Sequence, residues 1–69
     1  MQIRPYTKQE LAIEYAPDLL PRSAVNRLVK WMNYSKPLMK DLFRAGYRPT
    51  QKMLTKRQVG IIVKHLGEP

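Results

Sequence analysis

Proline at positions 5, 17, 21, 37 and 49 dictates where this chain can be helical. The ring fixes φ at about −65°, removes an N–H and disfavours helical geometry in the preceding residue. Pro17 therefore stops any helix begun upstream. Pro21 and Pro37 suit first helical turns, and Pro49 suits the first central position of a turn. Two helix starts are written in one grammar. In "YTKQEL", Thr7 can accept from the backbone N–H of Glu10 while the Glu10 side chain reaches back to Thr7, with Tyr6 and Leu11 placed as a hydrophobic staple. In "LTKRQV" the same parts recur as Thr55, Gln58, Leu54 and Val59.

These signals predict four helices, near residues 8–15, 21–33, 36–45 and 56–66. Leu11, Ala12 and Tyr15 fit one face of the first. Leu28, Trp31 and Met32, with Ala24 or Val25 a turn earlier, form a core stripe on the second, whose cap is either the poorly suited Leu20 or a competing Ser23. Ser35 is placed to cap the third, which buries Leu38, Met39, Leu42 and Phe43 and ends at Gly46 in a left-handed conformation. Val59, Ile62, Val63 and Leu66 form the buried side of the fourth, with Gly67 its terminator. Residues 47–54 read as a wing hairpin. The opening "QIRPY" alternates apolar and polar, so a short strand with Ile3 and Tyr6 is expected against Lys52–Leu54, and Pro5 confines it to an edge. The expected fold is thus mainly α, a single domain over residues 1–69: a compact four-helix, winged helix-turn-helix-like arrangement.

At 69 residues the chain is near the size at which one apolar core only just outweighs the entropy of ordering the backbone, and homodimerisation would help it. Cysteine is absent, which removes disulfides and thiolate zinc sites and makes a reducing compartment the natural setting. No apolar run is long enough to span a bilayer and no signal-peptide pattern opens the chain, so a soluble, cytoplasmic protein without membrane contact is expected.

Charge is where the sequence turns toward function. The chain carries a formal +8, but residues 1–21 are slightly acidic, whereas residues 22–57 hold ten lysines and arginines against one carboxylate, Asp41. A field concentrated in this way is the expected footprint of a nucleic-acid contact. Within it, the second helix has a polar side of Arg22, Asn26, Arg27 and Lys30 with no carboxylate, where a solvated helix face ordinarily mixes signs. Arginine suits guanine and asparagine suits adenine in the major groove, while Arg27 and Lys30 suit phosphates; Arg48 and Lys52 extend the surface onto the wing. Lys8, Glu14 and His65 are expected to lie outside it, with His65 a helix-terminal surface residue.

Catalysis has little to stand on: there is no cysteine, a single histidine, no glycine-rich phosphate loop, and the five carboxylates are scattered. A non-enzyme with no cofactor, no metal and no small-molecule substrate is expected. The favoured partner is double-stranded DNA, in a transcriptional or recombination accessory role. The alternatives are RNA, or an acidic protein met through an apolar groove that Met32, Met39 and Met53 would line.

The motifs I-R-x-Y at Ile3–Tyr6, E-L-A at Glu10–Ala12, Trp31, G-Y-R-P at Gly46–Pro49, L-T-x-x-Q-V at Leu54–Val59 and the closing H-L-G-E-P at His65–Pro69 resemble a family of short bacterial proteins classed as a domain of unknown function. The resemblance covers nearly the whole chain and implies an independently folding domain without implying an activity. E-L-A on a first helix preceded by a short strand also resembles the small winged helix-turn-helix domains of the MerR and excisionase type. That likeness implies a fold and carries no functional residue across, since the turn "APDLLP" is longer and no R-Y-Y-like segment follows the second helix.

Overall fold

The computed structural model describes residues 1–69 as β1 (Tyr6–Thr7), α1 (Lys8–Tyr15), α2 (Pro21–Tyr34), α3 (Lys36–Arg44), β2 (Met53–Leu54) and α4 (Lys56–Leu66). Both capping boxes form. The Thr7 hydroxyl accepts from Glu10 N–H at 3.0 Å while the Glu10 carboxylate accepts from Thr7 N–H at 2.9 Å. Thr55 and Gln58 repeat the exchange at 3.2 and 3.0 Å. These bonds from Thr7, with Arg4 adding a smaller contribution, hold the Glu10 carboxyl below its ordinary range.

The other boundaries follow local chemistry. No side chain caps α2, and Ser23 does not compete, so Pro21 alone sets that start. Ser35 is at once the last residue of one helix frame and the first of the next: its N–H donates to Met32 O and its hydroxyl accepts from Leu38 N–H, leaving a single extended residue between α2 and α3. The end of α3 is a Schellman motif. Tyr47 N–H donates to Leu42 O, Gly46 N–H donates to Phe43 O, and Gly46 takes the required positive φ of 82°.

The core contains Tyr6, Leu11, Ala12, Ala16, Ala24, Leu28, Met32, Leu38, Leu42, Tyr47, Leu54, Val59 and Ile62. α1 packs chiefly on α2 and α3 on α4. Several residues expected inside lie nearer the rim. Phe43 is 54% exposed and Trp31 38% exposed, because each stands about 100° round its helix from the buried Leu42 or Met32. Trp31 is covered on one edge by the Tyr15 ring, T-shaped at 6.2 Å, and Phe43 leans on Tyr47 at 6.1 Å. Met39, Val63, Leu66 and Tyr15 are half-buried against the core.

The expected strand pairing is present, two residues long and antiparallel, with Tyr6 opposite Leu54 and Thr7 opposite Met53; Ile3 lies outside it. A wing hairpin is not. Residues 47–54 do not fold back on themselves: Pro49 has no N–H for a ladder, Arg48 N–H is taken by the Gln51 side chain, and Gln51 N–H closes a turn onto Arg48 O. The segment is a loop that delivers β2 to β1. No helix is long and apolar enough to cross a membrane.

Gln58, read from sequence only as a cap partner, is 1% exposed and is the one polar residue of the interior. Its Nε2 donates to Ala45 O at 3.1 Å, and its Oε1 accepts from Thr55 N–H and from Gln51 Nε2. Gln51 Nε2 also donates to Met53 O. His65 is likewise no free surface residue: its Nε2 meets Asp41 Oδ2 at 3.0 Å and joins α4 to α3. The hydrogen bond from His65 is the main cause of a lowered Asp41 pKa, and Arg44 and Lys64 act in the same direction.

Gln58→Leu, close in size, strands Ala45 O and Thr55 N–H and is expected to cost about 2–3 kcal/mol in urea unfolding, whereas Lys56→Ala on the exposed first turn of α4 stays within about 0.5 kcal/mol. A depressed carboxyl pKa stabilises above the unfolded-state value and loses that contribution as pH falls through the folded one. The melting temperature of Asp41→Asn is therefore expected below that of the wild type at pH 7, with the gap closing as pH falls below 3.8, the ordinary Asp41 value.

Candidate nucleic-acid interface

The 14 residues of α2 bury Ala24, Leu28 and Met32 and turn the opposite side outward. At 3.6 residues per turn, Arg22, Asn26, Val29, Lys30 and Asn33 fall within an arc of about 100°, and Arg27 lies about 60° beyond Lys30. The helix face is flanked by two shallow clefts that share Asn26. One, of about 430 Å³, opens where the starts of α1 and α2 approach the residue before β2, and Lys8, Gln9, Arg22 and Lys52 line it with Asn26. The other, of about 440 Å³, follows the second half of α2 past Val29, Lys30 and Asn33 to Tyr34.

The short sheet builds the first cleft. Lys8 N–H donates to Lys52 O at 2.8 Å, continuing the β1–β2 pairing by one residue and drawing the Lys52 backbone onto the start of α1. The Lys8 ammonium then reaches back over the loop, donating to Pro49 O at 2.7 Å and sitting 4.8 Å from the centroid of the Tyr47 ring. Two segments more than forty residues apart thereby contribute Lys8 and Lys52 to the lining of one cleft.

Of the six residues singled out from sequence, Arg22, Asn26 and Lys52 converge on the first cleft, and Lys30 joins Asn26 at the second. Arg27 and Arg48 are exposed but line neither. Lys8, expected outside the surface, stands inside it. Gln9, Asn33 and Tyr34 were also missed. Asn33 and Tyr34 were findable, since they follow Lys30 by three and four residues on the helix. Lys8 was hidden, because its place depends on a strand partner 44 positions away in the chain. The methionines do not assemble a groove: Met32 is buried, Met39 half-buried, Met53 exposed on β2, and none lines a cleft.

The electrostatics are one-sided. The single ion pair in the structure is His65–Asp41, so no lysine or arginine has a carboxylate partner, and the one carboxylate among residues 22–57 is engaged by histidine. No three His, Cys, Asp or Glu side chains come together as a metal-binding group.

The family model described as "Domain of unknown function (DUF4248)" matches residues 2–69, and the chain belongs to that family. No curated protein and no solved structure matches the chain.

Proposed function

We propose that this protein is a small duplex-DNA-binding domain of the helix-turn-helix type, with α2 as the helix that enters the major groove and the 47–53 loop set against the phosphate backbone. The observation that carries the reading is the convergence of Arg22, Asn26 and Lys52 on one cleft, in a region of ten cations without a carboxylate partner among them. From Arg22 to Lys30 the helix rises about 12 Å, comparable with a major groove about 12 Å wide. Asn26, at the junction of both clefts, is the base reader, since an asparagine amide can pair bidentately with adenine. Lys52, presented by the loop, holds a phosphate.

The test is fluorescence anisotropy with a mixed-sequence duplex at low salt, followed by a salt series. Binding is expected to weaken steeply as salt rises, because each neutralised phosphate releases counterion, and no binding below about 100 μM would end the proposal. Asn26→Ala is expected to change preference among sequences by about 1–3 kcal/mol at one base pair, while Lys52→Ala weakens all duplexes alike and flattens the salt slope by about one phosphate. Equal losses on every duplex from both variants would remove Asn26 as a reader. Tyr34, 79% exposed beside Lys30, offers a stacking face, so a single strand bound more tightly than the duplex would replace the duplex reading with a single-strand one.

A further inference from the structure

We infer that the cleft between α1, α2 and the residue before β2 is a phosphate-binding subsite, with Lys8 its fixed cation and Arg22 and Lys52 its movable ones. The inference builds on the duplex-binding reading but has its own test. Three cations and the polar side chains of Gln9 and Asn26 share the walls of a 430 Å³ cleft to which no carboxylate contributes. Like charges gathered in this way repel one another, and an anion seated among them relieves that repulsion as well as adding its own attraction.

Lys8 differs from an ordinary surface lysine. Its ammonium is anchored at 2.7 Å on the Pro49 carbonyl and lies against the face of Tyr47, a ring only 5% exposed. An ammonium has three N–H donors, so the Pro49 carbonyl does not exhaust them. A side chain already fixed loses less conformational freedom on binding than a free one. Arg22 and Lys52 are exposed and have no ion-pair partner within the protein, so a ligand recruiting them displaces water and no protein group. The chemistry selected is a phosphate group carrying one or two charges, which three basic residues lining one cleft match better than they match a planar carboxylate read by a single arginine fork. Two sources can supply it, a nucleic-acid backbone and a free phosphate compound.

The experiment is a chemical-shift titration of the full chain, at constant ionic strength, with pyrophosphate in one arm and a short duplex in the other. Saturable shifts at Thr7, Lys8, Gln9 and Lys52 are expected in both. Lys8→Met, which keeps the stem and removes the charge, is expected to weaken pyrophosphate about tenfold, the effect of one charge-assisted hydrogen bond, and to flatten the duplex salt slope by about 0.9. Lys8→Arg restores much of both, and Lys64→Ala changes neither. If Lys8→Met disturbs the loop, the Tyr47 and Gln51 amides shift in the free protein, and Lys52→Ala then serves as the charge-removing variant. Saturation by pyrophosphate without duplex binding supports the subsite while overturning the duplex reading. Duplex binding that moves α2 but leaves Thr7–Gln9 still, with Lys8→Met unchanged, overturns the subsite alone. Weak, non-saturating shifts spread over all the lysines in the pyrophosphate arm also overturn it.

Discussion

The Gln58 amide is the point at which three separated stretches of chain are fastened. Its Nε2 closes the carbonyl of Ala45, where α3 ends, and its Oε1 gathers the Gln51 side chain and the Thr55 backbone, where the loop passes into α4. A buried amide is costly unless its donors and acceptors are met, and here no buried side-chain polar atom is left without a partner. The loop from Gly46 to Lys52 has no ladder or helix of its own, so this network and the Lys8–Pro49 bond give it a shape. The position of β2, the β1–β2 register and the placing of Lys52 beside Arg22 all follow from that shape.

Most of the helical frame was legible because its signals are local. A threonine three residues before a glutamate or glutamine, a proline at a first turn and a glycine after a last one act over a few residues and are not overruled by packing. α1 and α4 accordingly span their expected residues, and α2 and α3 differ from expectation by one residue at an end. Depth was less legible than face. Periodicity places Phe43 and Trp31 on the apolar side of their helices, but which residues of that side reach the interior depends on the neighbouring helix. The wing failed as a hairpin because the loop's hydrogen-bonding groups found side-chain partners first. The cleft was half legible: its α2 wall is a helix face readable at 3.6-residue spacing, whereas its Lys8 wall exists only through a strand pair joining Tyr6–Thr7 to Met53–Leu54.

A protein that keeps ten cations of residues 22–57 without carboxylate partners bears self-repulsion there, which the apolar interior and the hydrogen-bonded network oppose. Screening therefore acts in opposite senses on the two properties of such a surface, relaxing strain within the fold while reducing its pull on an anionic partner. The Asp41–His65 contact ties α3 to α4 inside this field, where Arg44 and Lys64 also favour the Asp41 carboxylate.

The Tyr15 hydroxyl donates to Gly67 O across 52 positions of sequence, and the Lys8 ammonium reaches Pro49 across 41. Both ends of α1 are thus held by residues far along the chain. At eight residues it is too short to persist by itself in water. Its stability comes from packing on α2 and from the clasp at Gly67, not from its own ladder. A domain built from short helices therefore depends, for its first helix, on long loop closures of the kind that dominate β proteins.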